Sequence, residues 1–134
     1  MIILDCETYS NYFLLSMLDT DSGHIKDFEL FDSQDFDSKT VAAILKKHTT
    51  LGFNSSNYDL PVIVAALRGD TNAQIKQLSD DIINAPKVWP VLKKHKINIP
   101  QGFDHIDIMP IPIGQASLKI YGGRLHAPKM QDLP

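Results

Sequence analysis

A chain of 134 residues and 15.0 kDa, 43% hydrophobic and 22% charged, fits one globular domain spanning 1–134 and excludes whole-chain disorder, collagen-like repeats and coiled coil. A single cysteine, Cys6, excludes an internal disulfide framework and a cysteine-based zinc site, and no apolar stretch approaches the ~20 residues that span a bilayer. The net charge of −3 divides unevenly: residues 1–67 carry 4 basic and 10 acidic groups, residues 68–134 carry 9 basic and 6 acidic. That division suits uneven surface statistics, or equally a protein that gathers cations at one place and phosphates at another. The start, Met1 to Asp5, has no basic region and only a short apolar run, so the expectation is a cytoplasmic, reduced protein with no membrane partner.

Residues 2–7 read as a strand, and residues 11–18 as a second. The Asp19-Thr20-Asp21-Ser22-Gly23 run is a turn signal, and residues 24–31 form a third strand, so strands two and three make a hairpin. Asp37-Ser38 can cap a helix whose apolar face is Val41, Ile44, Leu45 and His48. Residues 49–54 read as a fourth strand, followed by a loop at 55–57. Pro61 in the first turn, with Leu60, Ile63, Val64 and Leu67 at helical spacing, predicts a helix opening at Asp59. Thr71 caps another, with Ile75, Leu78 and Ile82 inward. Pro86 and Pro90 leave a short basic helix around 91–96, and residues 104–109 form a fifth strand. Ser117 caps a short helix through Tyr121, closed by Gly122-Gly123, and the tail 127–134 reads as loop. This order is α/β. Its crossovers predict a mixed sheet with helices on both faces and chemistry at the strand ends.

Asp5 and Glu7 fall on one face of the first strand because side chains alternate, while Leu4 and Cys6 face the other way. Two adjacent carboxylates in an apolar strand repel unless solvated, protonated or neutralised by a cation. The pair is either a metal site or two solvated acids past an early strand end. Asp59 has two readings as well: a helix N-cap, or a metal ligand at the carboxyl end of the sheet. Asn54, ending a strand, could hydrogen-bond a nucleic-acid strand, and Tyr58 could stack on a base or simply line the core rim. Asp107, inside an apolar strand, is a structural acid bonded to backbone or a group supporting a metal ligand. His105 reads as a satisfied histidine, and Cys6 as core. Lys93, Lys94 and Lys96 read as the exposed face of a helix. Lys119, Arg124 and Lys129 could contact phosphates.

Taken together these residues resemble one family. Asp5-x-Glu7 on the first strand resembles the first motif of the DEDD-type 3′–5′ exonucleases, the ribonuclease-H-like proofreading domains of phage and bacterial DNA polymerases. Asn54-x-x-x-Tyr58-Asp59 resembles their second motif, at a strand-to-helix junction. His105-Ile106-Asp107-Ile108 resembles the strand that follows, and Ser117-Leu118-Lys119 and Asp132-Leu133-Pro134 resemble later stretches. The resemblance implies a ribonuclease-H-like mixed five-stranded sheet flanked by helices. It implies two Mg²⁺ or Mn²⁺ ions and release of nucleoside 5′-monophosphates from the 3′ end of single-stranded DNA, beside a DNA polymerase. Under it Asp5 bridges both metals, Glu7 holds the nucleophile-side ion and Asp59 the other. Asn54, Tyr58, Lys119 and Arg124 contact the strand, and Asp107 supports the ligands from behind. The family's third motif, a Tyr or His before a metal-binding Asp on a late helix, has no counterpart before Pro134. The chain is then a C-terminally truncated fragment, or borrows that helix from another chain, or is a silent module that binds DNA ends or docks on a polymerase. The fragment is the expectation.

Overall fold

In the computed structural model the described residues are 1–108. They form β1 (Ile2–Tyr9), β2 (Tyr12–Asp19), β3 (Ile25–Leu30), α1 (Ser38–Lys47), β4 (Thr50–Phe53), α2 (Asp59–Leu67), α3 (Asn72–Asn84), α4 (Trp89–Lys94) and β5 (His105–Ile108). The predicted helix from Ser117 and the tail lie outside the described residues. The sheet order is β3-β2-β1-β4-β5. β1 pairs antiparallel with β2, and β2 with β3. β1 pairs parallel with β4, and β4 with β5. The chain is thus α/β, a mixed five-stranded sheet flanked by helices.

Local chemistry explains most boundaries. β1 turns into β2 through Ser10-Asn11, with Tyr9 opposite Tyr12. Between β2 and β3, Gly23 takes φ 76, a left-handed conformation glycine adopts without steric cost. The Asp37 carboxylate caps α1 by accepting from the Thr40 N–H at 3.2 Å. Thr71 and Gln74 form a reciprocal capping box at the start of α3. His48, expected on the apolar face of α1, instead leaves the helix as its C-cap in extended backbone and is exposed.

Among the described residues the main core cluster lies on one face of the sheet, although Leu14 and Ser16 on the other face are buried too. Ile2, Leu4 and Cys6 of β1, with Phe13, Leu15 and Met17 of β2, meet Val41 and Leu45 of α1, Ile63 of α2, Ile75 and Leu78 of α3 and Val91 of α4. Ile3, Asp5 and Glu7 alternate with the core residues of β1 and turn to the opposite face, across from Leu18, Ser16 and Leu14. The expectation of helices on both faces is corrected for the described residues. The reason is topological. β3 to β4 and β4 to β5 both cross over in the same direction along the sheet. Right-handed crossovers that do not reverse direction deposit their helices on the same face.

Candidate functional site

The end of β4 and the loop after it are held by close contacts. An added Cβ at Gly52 would sit 2.6 Å from Ser55 Cβ and 3.3 Å from Leu4 Cδ1, so only glycine lets the 55–57 loop fold back onto the strand. Asn54 makes that turn with φ 50, a left-handed geometry that asparagine tolerates better than most residues. Its Oδ1 accepts from Asn57 Nδ2 at 3.4 Å. Ser55, fully buried, donates its backbone N–H to Asp107 Oδ1 at 3.0 Å, and Ser56 donates its own to Oδ2 at 3.0 Å. Of the two arrangements open to Asp107, this is the backbone-bonded one. The carboxylate staples the loop to β5.

His105 sits two residues before Asp107 on the same side of β5. Its Nδ1 lies 2.6 Å from Thr50 Oγ1 and its Nε2 2.5 Å from Ser55 Oγ. Both ring nitrogens are therefore engaged by hydroxyls, which suits a neutral imidazole with one donor and one acceptor nitrogen. Partial burial pushes the His105 pKa down, and the negative charge of Asp107 opposes that shift.

At the start of α2 the cap position belongs to Tyr58, whose side chain makes no capping hydrogen bond. The N-cap reading of Asp59 is thereby corrected: Asp59 is the first helical residue, and its backbone position favours negative charge. It is nevertheless buried, 6% exposed. Burial first, then the charges of Asp5, Glu7 and Asp107, push its pKa well up. The same acids bear on Cys6, a buried core thiol whose pKa is raised first by burial and then by Asp59, Asp5 and Glu7. Asp5, in addition, accepts from the Cys6 backbone N–H at 3.0 Å. Two carboxylates from β1, one from α2 and one from β5 thus share an electrostatic neighbourhood.

Tyr58 is a strut at the core rim. Its hydroxyl lies 2.7 Å from Ser79 Oγ on α3 and donates to Thr8 Oγ1 on β1 at 3.2 Å, while the ring packs against the core. The sequence reading missed Gly52, Thr50, Ser55, Thr8 and Ser79. Only Gly52, a glycine inside a strand, carried a signal of close backbone approach. Lys119 and Arg124, expected at phosphates, lie outside the described residues, as do Lys129 and Asp132.

The donor set is chemically suited to a hard divalent cation, since Asp5, Glu7 and Asp59 offer carboxylate oxygens. Among the described residues, no group of three or more His, Cys, Asp or Glu side chains is arranged to hold a metal ion. Nor, among them, is any helix long and apolar enough to cross a membrane. No family model matches the chain, and no curated protein matches it.

Proposed function

We propose that the chain is a metal-dependent 3′–5′ exonuclease of ribonuclease-H-like fold that acts on the 3′ end of single-stranded DNA in replication or proofreading, beside a polymerase. The observation that carries this reading is the crowding of carboxylates around a buried one. Asp5 and Glu7 share a face of β1, and both disfavour ionisation of Asp59 at the first turn of α2. Closely spaced carboxylates disfavour one another's ionisation, and a cation among them would offset that. Asp5, Glu7 and Asp59, which as they stand are not arranged around one ion, would close in to hold Mg²⁺ or Mn²⁺. Bound in pairs, such ions supply an activated water and stabilise the leaving oxygen of a phosphodiester.

Other residues of the chain position Asp59 relative to the β1 pair. Asp107 fixes the loop that leads into α2, Gly52 lets that loop close, and Tyr58 ties the residue before Asp59 to β1 and α3. With its hydroxyl tethered, the Tyr58 ring has a fixed orientation, and a base would meet only its exposed part.

The test is digestion of a 5′-labelled single-stranded DNA with Mn²⁺ and with EDTA. A metal-dependent ladder shortening from the 3′ end is expected, and Asp5→Ala should abolish it while the circular dichroism spectrum stays the same. The effect should exceed the 10- to 100-fold that loss of a supporting partner costs a metal site. Cleavage by Asp5→Ala at the parent rate refutes the assignment. Metal-independent DNA binding that ignores Asp5 and Glu7, without cleavage, would instead assign a silent DNA-end-binding module.

A further inference from the structure

Trp89 is the chain's one tryptophan, and 65% of it is exposed at the start of α4. Tryptophan is on average well buried, so a water-facing indole needs a reason. The helix does not lack core contacts: Val88, Val91 and Leu92 turn inward. Positions 89 and 93 are left together on the outer side, one turn apart, where Cβ atoms stand ~5–6 Å from each other. Lys93 therefore stands beside the indole. Lys87 precedes it by two residues, and Lys96 follows the helix with φ 57.

The charges around this face are unbalanced. Lys94 reaches Asp81 at 3.4 Å and His95 reaches the same carboxylate oxygen at 2.7 Å. Asp80 is taken by Lys76 at 2.8 Å, and Asp70 by Arg68 at 2.9 Å. Among the described residues Lys87, Lys93 and Lys96 form no ion pair. An exposed indole thus has Lys93 one turn away on the same helix, with Lys87 and Lys96 flanking the helix in sequence, and Asp70, Asp80 and Asp81 are already engaged by other groups.

We propose that the Trp89 face of α4 binds single-stranded nucleic acid, with the indole stacked on an unpaired base and Lys87, Lys93 and Lys96 on phosphates. Aromatic stacking plus backbone neutralisation is how sequence-independent single-strand sites work. The charge argues for a polyanion. The choice of a nucleic-acid strand among polyanions rests on the function proposed above. The residues are separate, however: none of Asp5, Glu7 or Asp59 is part of this face.

Because Trp89 is the sole tryptophan, its fluorescence reports on the site directly. The full chain is titrated with a short oligothymidylate in EDTA, so that cleavage and metal binding play no part. Saturable quenching is expected, weakening with salt by a log–log slope of about −0.7 per phosphate contact. Lys87→Gln with Lys93→Gln should flatten that slope by about 1.4. Trp89→Ala, followed by anisotropy of a labelled oligonucleotide, should weaken binding by about 5- to 100-fold. Absence of quenching overturns the proposal, as does quenching with an unchanged salt slope in the double lysine variant. A blue shift with phosphatidylserine vesicles but no response to the oligonucleotide also overturns it, in favour of a lipid surface. Quenching by a protein that cleaves nothing under Mn²⁺ supports this site while removing the exonuclease reading.

Discussion

Replacing Asp107 by Ala tests the staple between β5 and the loop before α2. The side chain accepts two backbone N–H bonds, each 3.0 Å long, from Ser55 and Ser56. A hydrogen bond to an ionised group is worth about 1.5–3 kcal/mol, giving a gross loss of about 3–6 kcal/mol for two. The two donors differ in what replaces the bond. Ser55 is 0% exposed, so its N–H would be stranded, whereas Ser56 is exposed and water can take over. Loss of the Asp107 charge also relieves Asp59. The net cost should be about 2–4 kcal/mol, a large share of the 5–15 kcal/mol typical of a domain. With a urea slope of about 1–3 kcal/mol/M, the unfolding midpoint should fall by roughly 1–2 M. Asp107→Asn keeps one acceptor, which can serve Ser55, and should lose only about half as much. Amide exchange at Ser55 should accelerate more in the Ala variant than in the Asn variant. The reasoning fails if Asp107→Ala unfolds within about 0.5 kcal/mol of the parent, the range of an ordinary surface change. It also fails if Asn costs as much as Ala.

Gly52→Ala puts a Cβ 2.6 Å from Ser55 Cβ, and should cost about 1–3 kcal/mol by overpacking, read as a lower urea midpoint. Tyr58→Phe leaves the Ser79 and Thr8 hydroxyls without their shared partner, and should cost about 1–2 kcal/mol in the same assay while the near-ultraviolet spectrum stays native-like. His105 supplies a pH dependence. Its folded pKa lies below the ordinary 6.5, so the unfolded chain takes up the proton first as pH falls. Its contribution is therefore full above about 6.5 and is lost as pH drops towards the lower folded value. Asp59, whose pKa is raised, titrates with the opposite sign, so the informative quantity is the difference in slope between the parent and His105→Gln. Stability of the Gln variant should fall less steeply from pH 7 to pH 5.

Much of the architecture was legible because it follows from local signals. The alternation in β1, the turn at Gly23, the caps at Asp37 and Thr71 and the apolar spacing of α2 and α3 each appear within a few neighbouring residues. The face on which helices pack did not, because it depends on strand order, which no single segment carries. The placement of Asp5 and Glu7 on one face was readable from period two alone. The role of Asp107 was not, since its partners are backbone groups more than fifty residues away. Tyr58 shows the same limit: an aromatic before an acid suggests a ligand contact, but the hydroxyls that hold it come from β1 and α3. Asp59 escaped the capping rule because α2 already includes it, with Tyr58 at the cap, and its environment is set by burial and by neighbours across the sheet.

The strand pairings also order events in time. β1, β2 and β3 form a meander whose first turn joins residues three apart, Tyr9 to Tyr12, while β4 meets β5 through Thr50 and His105, separated by 55 positions. Short loops close at little entropic cost and long ones close late. The Asp5–Glu7 pair therefore rides on the unit that assembles first. Asp107 joins only when the last long loop closes, and Ser55 is locked against it in the same step. The carboxylate neighbourhood of Asp59 is thus completed at the end of folding, against a scaffold already built, so under the proposed metal-binding role divalent ions present during refolding should accelerate that final docking rather than the initial collapse.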